Sequence, residues 1–312
     1  KYKGEGTVVS VIDSSLDASH KDMRLSDPSK EKISQDDANA FAKSVGYGRF
    51  LTDKVPYGYN YADDSDTYIA DDDPEEQHGM HVAGIIGANG TGSDPTTSVT
   101  GVAPEAQLLG MKVFSNSDAE ATTGSDTVVS AIEDSAKIGA DVLNMSLGSA
   151  SGTQSTDDPE QAAVQNAIDT GTAAVISAGN DGTTGSLDEG VNKNYEDNED
   201  QETVGAPGVA RNATTVASAE NTGAIGYAVT IKDGDQAVTD PELTQLSLGA
   251  TQADFDQKQF YVVKDSTGKP GIGTPDQYTA DAAGKVAIVK RGDIDFTAKQ
   301  ANAKAAGATA LI

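Results

Sequence analysis

The chain has no cysteine and no tryptophan, only three histidines, and few cations. Lys and Arg total 22 against 49 Asp and Glu, a formal net charge of −27 over 312 residues. Without cysteine there is no disulfide scaffold, no thiol nucleophile and no thiolate zinc or iron–sulfur site. The shortage of Lys and Arg argues against nucleic acid or anionic lipid as a partner, because binding a polyanion rests on neutralising its charges. No apolar run approaches the ~20 residues that a membrane-spanning helix needs. The chain opens on Lys1, with neither Met nor a basic-then-apolar leader, and reads as processed or excised there. What is present is a 37% hydrophobic chain, too apolar for a disordered acidic tail, with 33 glycines for turns and close approaches. That length can hold one sizeable core and a smaller module.

The apolar runs are ordered. Thr7 to Ile12 is a β-branched strand that stops at Asp13–Ser14–Ser15. Residues 19–45 are charged and predict loop with a short helix. Residues 61–76 carry Asp63, Asp64, Asp66, Asp71, Asp72 and Asp73, which is either solvated loop or a cation site. A helix of small apolar residues follows from His81 to Gly87. Strands are then expected at Leu108–Val113, Val142–Ser146, Ala173–Ala178 and Thr214–Ser218. Between them, Asp126–Ile138 places Val128, Val129, Ile132 and Ala136 at helical spacing with Gly139 as C-cap, and Pro159–Thr170 repeats the pattern before Gly171. This alternation predicts an α/β fold, a parallel sheet with helices on both faces, over residues 1–221. From 222 to 312 the composition shifts to short runs, Ala228–Lys232, Gln259–Val263 and Lys285–Lys290, with one late helix at Phe296–Ala306. That stretch reads as a second, smaller β-rich module. Its last residues, Ala308–Ile312, look like a strand cut part-way.

Chemistry-bearing residues stand at the ends of core elements. Asp13 closes the first strand, where ligands and catalysts collect in parallel-sheet proteins. His78 opens the small-residue helix, and Asn180 closes the strand ending Ser177-Ala178-Gly179. An Asp, a His and an Asn so placed can orient a base, carry a proton and donate to an oxyanion. Each also has a plainer reading: Asp13 as a turn residue, His78 as a surface or core histidine. His78 and His81 at i, i+3 lack the Glu and the i, i+4 spacing of a metalloprotease helix.

Taken in order, Val11-Ile12-Asp13-Ser14-Ser15, His78-Gly79-Met80-His81-Val82-Ala83-Gly84-Ile85, Gly101-Val102-Ala103-Pro104, Asn144-Met145-Ser146-Leu147-Gly148 and Ser177-Ala178-Gly179-Asn180 resemble the subtilisin-like serine proteases, the subtilases. The resemblance implies a serine endopeptidase with a subtilisin-like sheet. Asp13 would orient His78, His78 would act as base, and Asn180 would donate to the oxyanion. Ser146, Leu147 and Gly148 would pair with an extended peptide or protein substrate. His81 would be non-catalytic and packed one turn along. The chemistry would need no cofactor. A structural Ca²⁺ could use the carboxylates at 63 to 73 or the loop Asn89–Ser98.

Residues 284–308, with Lys285-Val286-Ala287-Ile288-Val289-Lys290-Arg291-Gly292 and Lys304-Ala305-Ala306-Gly307-Ala308, resemble a protease-associated (PA) domain, here incomplete. Such an insert marks the large cell-envelope proteinases of Gram-positive bacteria. The lactocepin group is the nearer likeness and the C5a peptidases a more distant one. This implies an extracellular, cell-envelope or cell-wall location and casein-like substrates. Two departures follow. Ser15 stands where the family has Gly, so either the turn is strained there or the residue type is less strict than the family pattern implies. The family's Gly-Thr-Ser nucleophile motif is absent from these residues, so the serine is expected outside this chain, on a C-terminal remainder of the same proteinase, covalent or cleaved. The alternative is a catalytically incomplete or degenerate peptide-binding homologue.

Overall fold

The alternation of side chains along one strand sets the layering. The computed structural model describes residues 2–67, 77–92, 98–116, 123–150, 152–155, 157–180, 203–219, 227–230, 232–233, 236–237, 242–244, 255, 257–292 and 294–312. In chain order its first elements are β1 (Val8–Asp13), α1 (Gln35–Val45), β2 (Tyr57–Asn60), α2 (His78–Gly87), β3 (Gln107–Lys112), α3 (Ser125–Ile138), β4 (Val142–Met145), α4 (Pro159–Asp169), β5 (Ala173–Ser177) and β6 (Thr214–Val216). All of β1 is buried. Val8 and Ile12 pack into one core with Leu109, Met111, Leu143, Ile132 and Val164. Val9 and Val11 pack into another with Leu16, Val82, Ala83 and Leu108. Successive strand residues face opposite sides of a sheet, so Asp13 falls on the Val9–Val11 face, the one that α2 covers. Helices α1, α3 and α4 cover the other.

The strands form one six-stranded sheet in the order β2-β3-β1-β4-β5-β6, and every pairing is parallel. Its connections run to one side of β1 first and then to the other, which makes the C-terminal end of β1 a topological switch point, where open α/β sheets place their sites. The helix ends follow local chemistry. Ser34 and Asp37 form a reciprocal capping box on α1, and Gly139, expected as the C-cap of α3, has φ 98°. Asp158 accepts from the Glu160 and Gln161 amides, with Pro159 opening α4.

Strand β2 was not expected from the sequence. Its Tyr57 and Tyr59 are buried, and Tyr47 stacks on Tyr59 with ring centroids 4.5 Å apart. The hydroxyls of Tyr47 and Tyr61 both donate to Asp134 Oδ2, at 2.7 and 3.0 Å. An aromatic cluster closing on a buried carboxylate thus holds the sheet edge.

The chain divides into two compact units, Lys1–Glu220 and Asn221–Ile312. The second contains β7 (Tyr227–Val229), β8 (Lys232–Asp233), β9 (Gln236–Ala237), β10 (Glu242–Thr244), β11 (Phe260–Val262), β12 (Val286–Ile288), α5 (Phe296–Ala305) and β13 (Ala310–Leu311). Strands β11-β12-β13 form a parallel sheet over a small core of Val263, Ala287 and Ala303. The terminal apolar run is paired along β12, with Ile312 N–H donating to Ala287 O at 2.8 Å. Among the described residues no helix is long and apolar enough to cross a membrane.

Candidate active site

Strand parity and register bring the expected pair together. His78 is the first residue of α2, and its Nδ1 lies 2.7 Å from Asp13 Oδ1. The carboxylate is 2% exposed and the imidazole 56%, so the ring is buttressed on its Nδ1 side and accessible elsewhere. The Ser14 N–H donates to the same Oδ1 at 2.7 Å. Among the described residues Asp13 Oδ2 is buried with no hydrogen-bond partner. Hydrogen bonding to Asp13 raises the His78 pKa above 6.5, against a smaller opposing effect of burial, and the carboxylate's charge adds to the rise. A histidine held this way keeps one ring nitrogen committed to the carboxylate and the other free to take up and release a proton.

The tight turn after Asp13 explains Gly79. A Cβ there would lie 2.4 Å from Ser15 O and 2.7 Å from Ser15 N, so only glycine lets α2 approach the turn. Ser15 itself is fully buried and is not among the residues with left-handed φ. The strain expected for a non-glycine at that position is therefore absent, because the turn never enters the region that favours glycine. His81 also differs from expectation. Its side chain is exposed rather than packed, since the inward stripe of α2 is taken by Gly79, Val82 and Ala83.

The remaining site residues line the same sheet edge. Ser146, Leu147 and Gly148 follow β4, and the Leu147 carbonyl accepts from Ser177 Oγ at 3.1 Å. Asn180 is exposed beyond β5, reached through Gly179 with φ 92°. Because β1, β4 and β5 are successive neighbours, β5 runs about 10 Å from β1 at ordinary strand spacing, and Asn180 lies three residues past its end. A segment that sequence reasoning missed, residues 204–207, lies beside this edge. Ser149 and Ala206 exchange backbone hydrogen bonds at 2.9 and 3.1 Å, and a Cβ at Gly205 would sit 2.4 Å from Ser149 O. The cluster Gly205-Ala206-Pro207-Gly208 was the available signal.

Among the described residues the acidic candidates do not converge. Asp63 accepts from the Asn60 side chain at 2.8 Å and the Asn116 amide at 3.1 Å, and also from Ser115 Oγ. Asp64 accepts from Tyr59 Oη, and Asp66 from the Gly48 amide at 2.6 Å. Asp71, Asp72 and Asp73 lie outside the described residues, as do residues 93–97 of the loop 89–98. Asn89 Nδ2 donates to Glu105 Oε1 at 3.0 Å and Ser26 Oγ at 3.1 Å. Among the described residues no three His, Cys, Asp or Glu side chains gather as a metal site.

The chain is 65% identical over 312 residues to a PII-type proteinase of Lacticaseibacillus paracasei, covering 100% of this chain and 16% of that protein. It is 34% identical over 319 residues to a C5a peptidase of Streptococcus pyogenes serotype M3, covering 99% of this chain and 25% of the relative. It therefore spans only a fraction of the length of the curated relatives it matches. Among solved structures, Sphericase superimposes with a TM-score of 0.45 at 26% identity, over 72% of this chain and 57% of the other. Residues 4–309 match the model of the Subtilase family, and the chain belongs to that family.

Proposed function

We propose that this chain supplies the base, its orienting carboxylate and the oxyanion donor of a serine endopeptidase whose nucleophile lies outside these residues. The observation that carries the reading is the 2.7 Å hydrogen bond between a buried Asp13 and an accessible His78. In the proposed reaction a serine hydroxyl attacks the scissile carbonyl while His78 Nε2 takes its proton. The tetrahedral oxyanion is met by the Asn180 side-chain amide, and His78 then returns the proton to the leaving amine. Asp13 holds the ring in the tautomer with Nδ1–H and favours the imidazolium that forms. Ser146, Leu147 and Gly148 offer backbone to an extended peptide, which would add as a strand.

By the resemblance of its motifs to the large cell-envelope proteinases, the substrates would be extracellular proteins such as caseins, and the enzyme would act at the cell envelope. A net charge of −27 repels acidic phosphoproteins at long range, so selection falls to local pockets rather than to steering. Residues 222–312 would be part of a PA module, without catalytic residues, that restricts which peptides enter. A calcium ion, if bound, would be structural.

The test uses the longer polypeptide that carries these residues. Treatment with a serine-directed phosphonylating inhibitor should give one stoichiometric adduct on a serine outside residues 1–312 and abolish peptide hydrolysis. An adduct on a serine within these residues, or hydrolysis untouched by the inhibitor, would overturn the reading.

A further inference from the structure

Helix α2 carries the proposed base at its first position, yet its N-cap residue, Gln77, provides no side-chain cap. The first backbone N–H groups of a helix have no partner within it. One of them, Gly79 N–H, donates to Ser14 Oγ at 3.0 Å, from a residue 65 positions earlier in the chain. Ser14 is buried, 5% exposed, and its other polar groups are engaged at the same place. Its N–H donates to Asp13 Oδ1 at 2.7 Å. Its carbonyl accepts from the ammonium of Lys112, a lysine with no exposure at all. Lys112 reaches that carbonyl because it is the register partner of Asp13 on the neighbouring strand β3.

We infer that Ser14 is a positioning residue for the Asp13–His78 pair: its hydroxyl caps the base's helix in trans while its amide holds the carboxylate. The inference rests on the reading of that pair as catalytic. Two partners that belong to different elements are thereby referenced to one buried serine, and Lys112 anchors that serine from the next strand. The close approach of Gly79 to Ser15 leaves α2 little room to slide without breaking the cap. Precision matters here, because a misplacement of ~1 Å can cost about a hundredfold in rate.

The experiment removes the hydroxyl alone. In the 312-residue chain with ¹⁵N-labelled histidine, Ser14→Ala should move the His78 titration toward its ordinary value by about half a pH unit or more. In the longer proteinase the same change should lower kcat about tenfold with KM within about twofold. Ser14→Thr, which keeps the hydroxyl, should restore both. If Ser14→Ala does not fold, Ser14→Cys fills the space with a weaker acceptor and should shift both readouts in the same direction. An unchanged His78 titration with kcat within about twofold of the parent would overturn the inference. So would a fall in kcat that comes with a lowered melting temperature, an unmoved His78 titration and no rescue by threonine, the mark of general destabilisation. Should the longer polypeptide hydrolyse nothing, the proposed function fails, while the titration still reports whether Ser14 holds the pair.

Discussion

His78 and Asp13 meet through one hydrogen bond of 2.7 Å that joins the start of α2 to the end of β1. Asp13 holds the imidazole above its ordinary pKa of 6.5, and this fixes two pH dependences of opposite sign. The folded-state value is raised, so the stability this pair contributes is fully present below pH 6.5 and is lost as pH rises through the folded value. The proposed catalysis needs the neutral ring, so kcat/KM should rise across that same higher range, with an acid limb above pH 6.5. Asp13→Asn should move the limb down as well as lower the plateau. A pH–rate profile of both forms checks this, and a parental limb at or below 6.5 would contradict the assignment.

The two histidines of α2 should separate cleanly by mutation. His81 is exposed, and His81→Ala should leave kcat within about threefold and stability within ~0.5 kcal/mol, as surface substitutions usually do. His78→Ala should cost a factor on the order of 10⁶ in kcat, the loss measured for the base in subtilisin itself. Single-turnover assays with a small peptide on both variants make the comparison, and losses of similar size would reverse the roles.

Lys54 gives a stability prediction remote from the site. It is 1% exposed, and its ammonium donates to the carbonyls of Pro104 at 2.8 Å and Ala106 at 2.5 Å. Burial pushes its pKa down to about 8, with Glu105 acting weakly in the other direction. The unfolded chain therefore binds more protons between about pH 8 and 10.5, and stability contributed by this residue rises with pH over that window. Denaturant unfolding of the parent and Lys54→Met should diverge as pH rises through the window, by on the order of 3 kcal/mol in the parent's favour. Parallel curves would remove the buried-charge account.

The legible and illegible parts of this protein differ in how far apart their causes lie. Strand β1 announces itself by a continuous β-branched run, and α3 by an apolar stripe closed by Gly139, because both are local. The Asp13 and His78 motifs were readable for the same reason, each being a short segment with fixed spacing. Strand β2 was missed because its drive is tertiary: Tyr57 and Tyr59 are buried against Phe41, Tyr47 and Tyr61, and Asp134 sits on a helix far along the chain. The pairing of Ser149 with Ala206 has no periodicity to betray it. The cap that Ser14 lends to α2 crosses 65 positions and leaves no trace in any window of sequence.

The carboxylates of the acidic segment lead to a further test. Hydrogen bonds from Ser115, Asn116 and Asn60 hold the Asp63 carboxyl below its ordinary value, although burial alone would raise it. Asp64 and Asp66 are likewise bound to Tyr59 and to the Gly48 amide. Asp63→Asn should therefore cost ~1–2 kcal/mol through lost charge-assisted hydrogen bonds, and the cost should be the same with calcium and with chelator. Melting temperatures of parent and variant in both buffers decide it. A variant that alone loses its response to calcium would place Asp63 on a cation instead.

Two glycines of α2 should respond in opposite directions to the same substitution. Gly79 faces the Ser14–Ser15 turn, and an added methyl would meet backbone atoms of Ser15 at 2.4 and 2.7 Å and Asp13 Cβ at 3.1 Å. Backbone cannot rotate aside as a long side chain can, so α2 must retreat from β1. That retreat stretches both the Gly79–Ser14 bond of 3.0 Å and the His78–Asp13 bond of 2.7 Å. Gly84, in the same helix, has no atom within 4 Å of its added Cβ, and alanine there removes backbone entropy from the unfolded chain. Gly84→Ala should stabilise by ~0.5–1 kcal/mol with unchanged turnover. Gly79→Ala should destabilise by ~1–3 kcal/mol through overpacking and lower kcat by about a hundredfold or more, because the displacement falls on the pair itself. Unfolding curves and kcat for the two variants, measured together, distinguish helix propensity from helix placement. If Gly79→Ala kept full turnover, the tight seating of α2 on the Asp13 turn would not be what aligns the base.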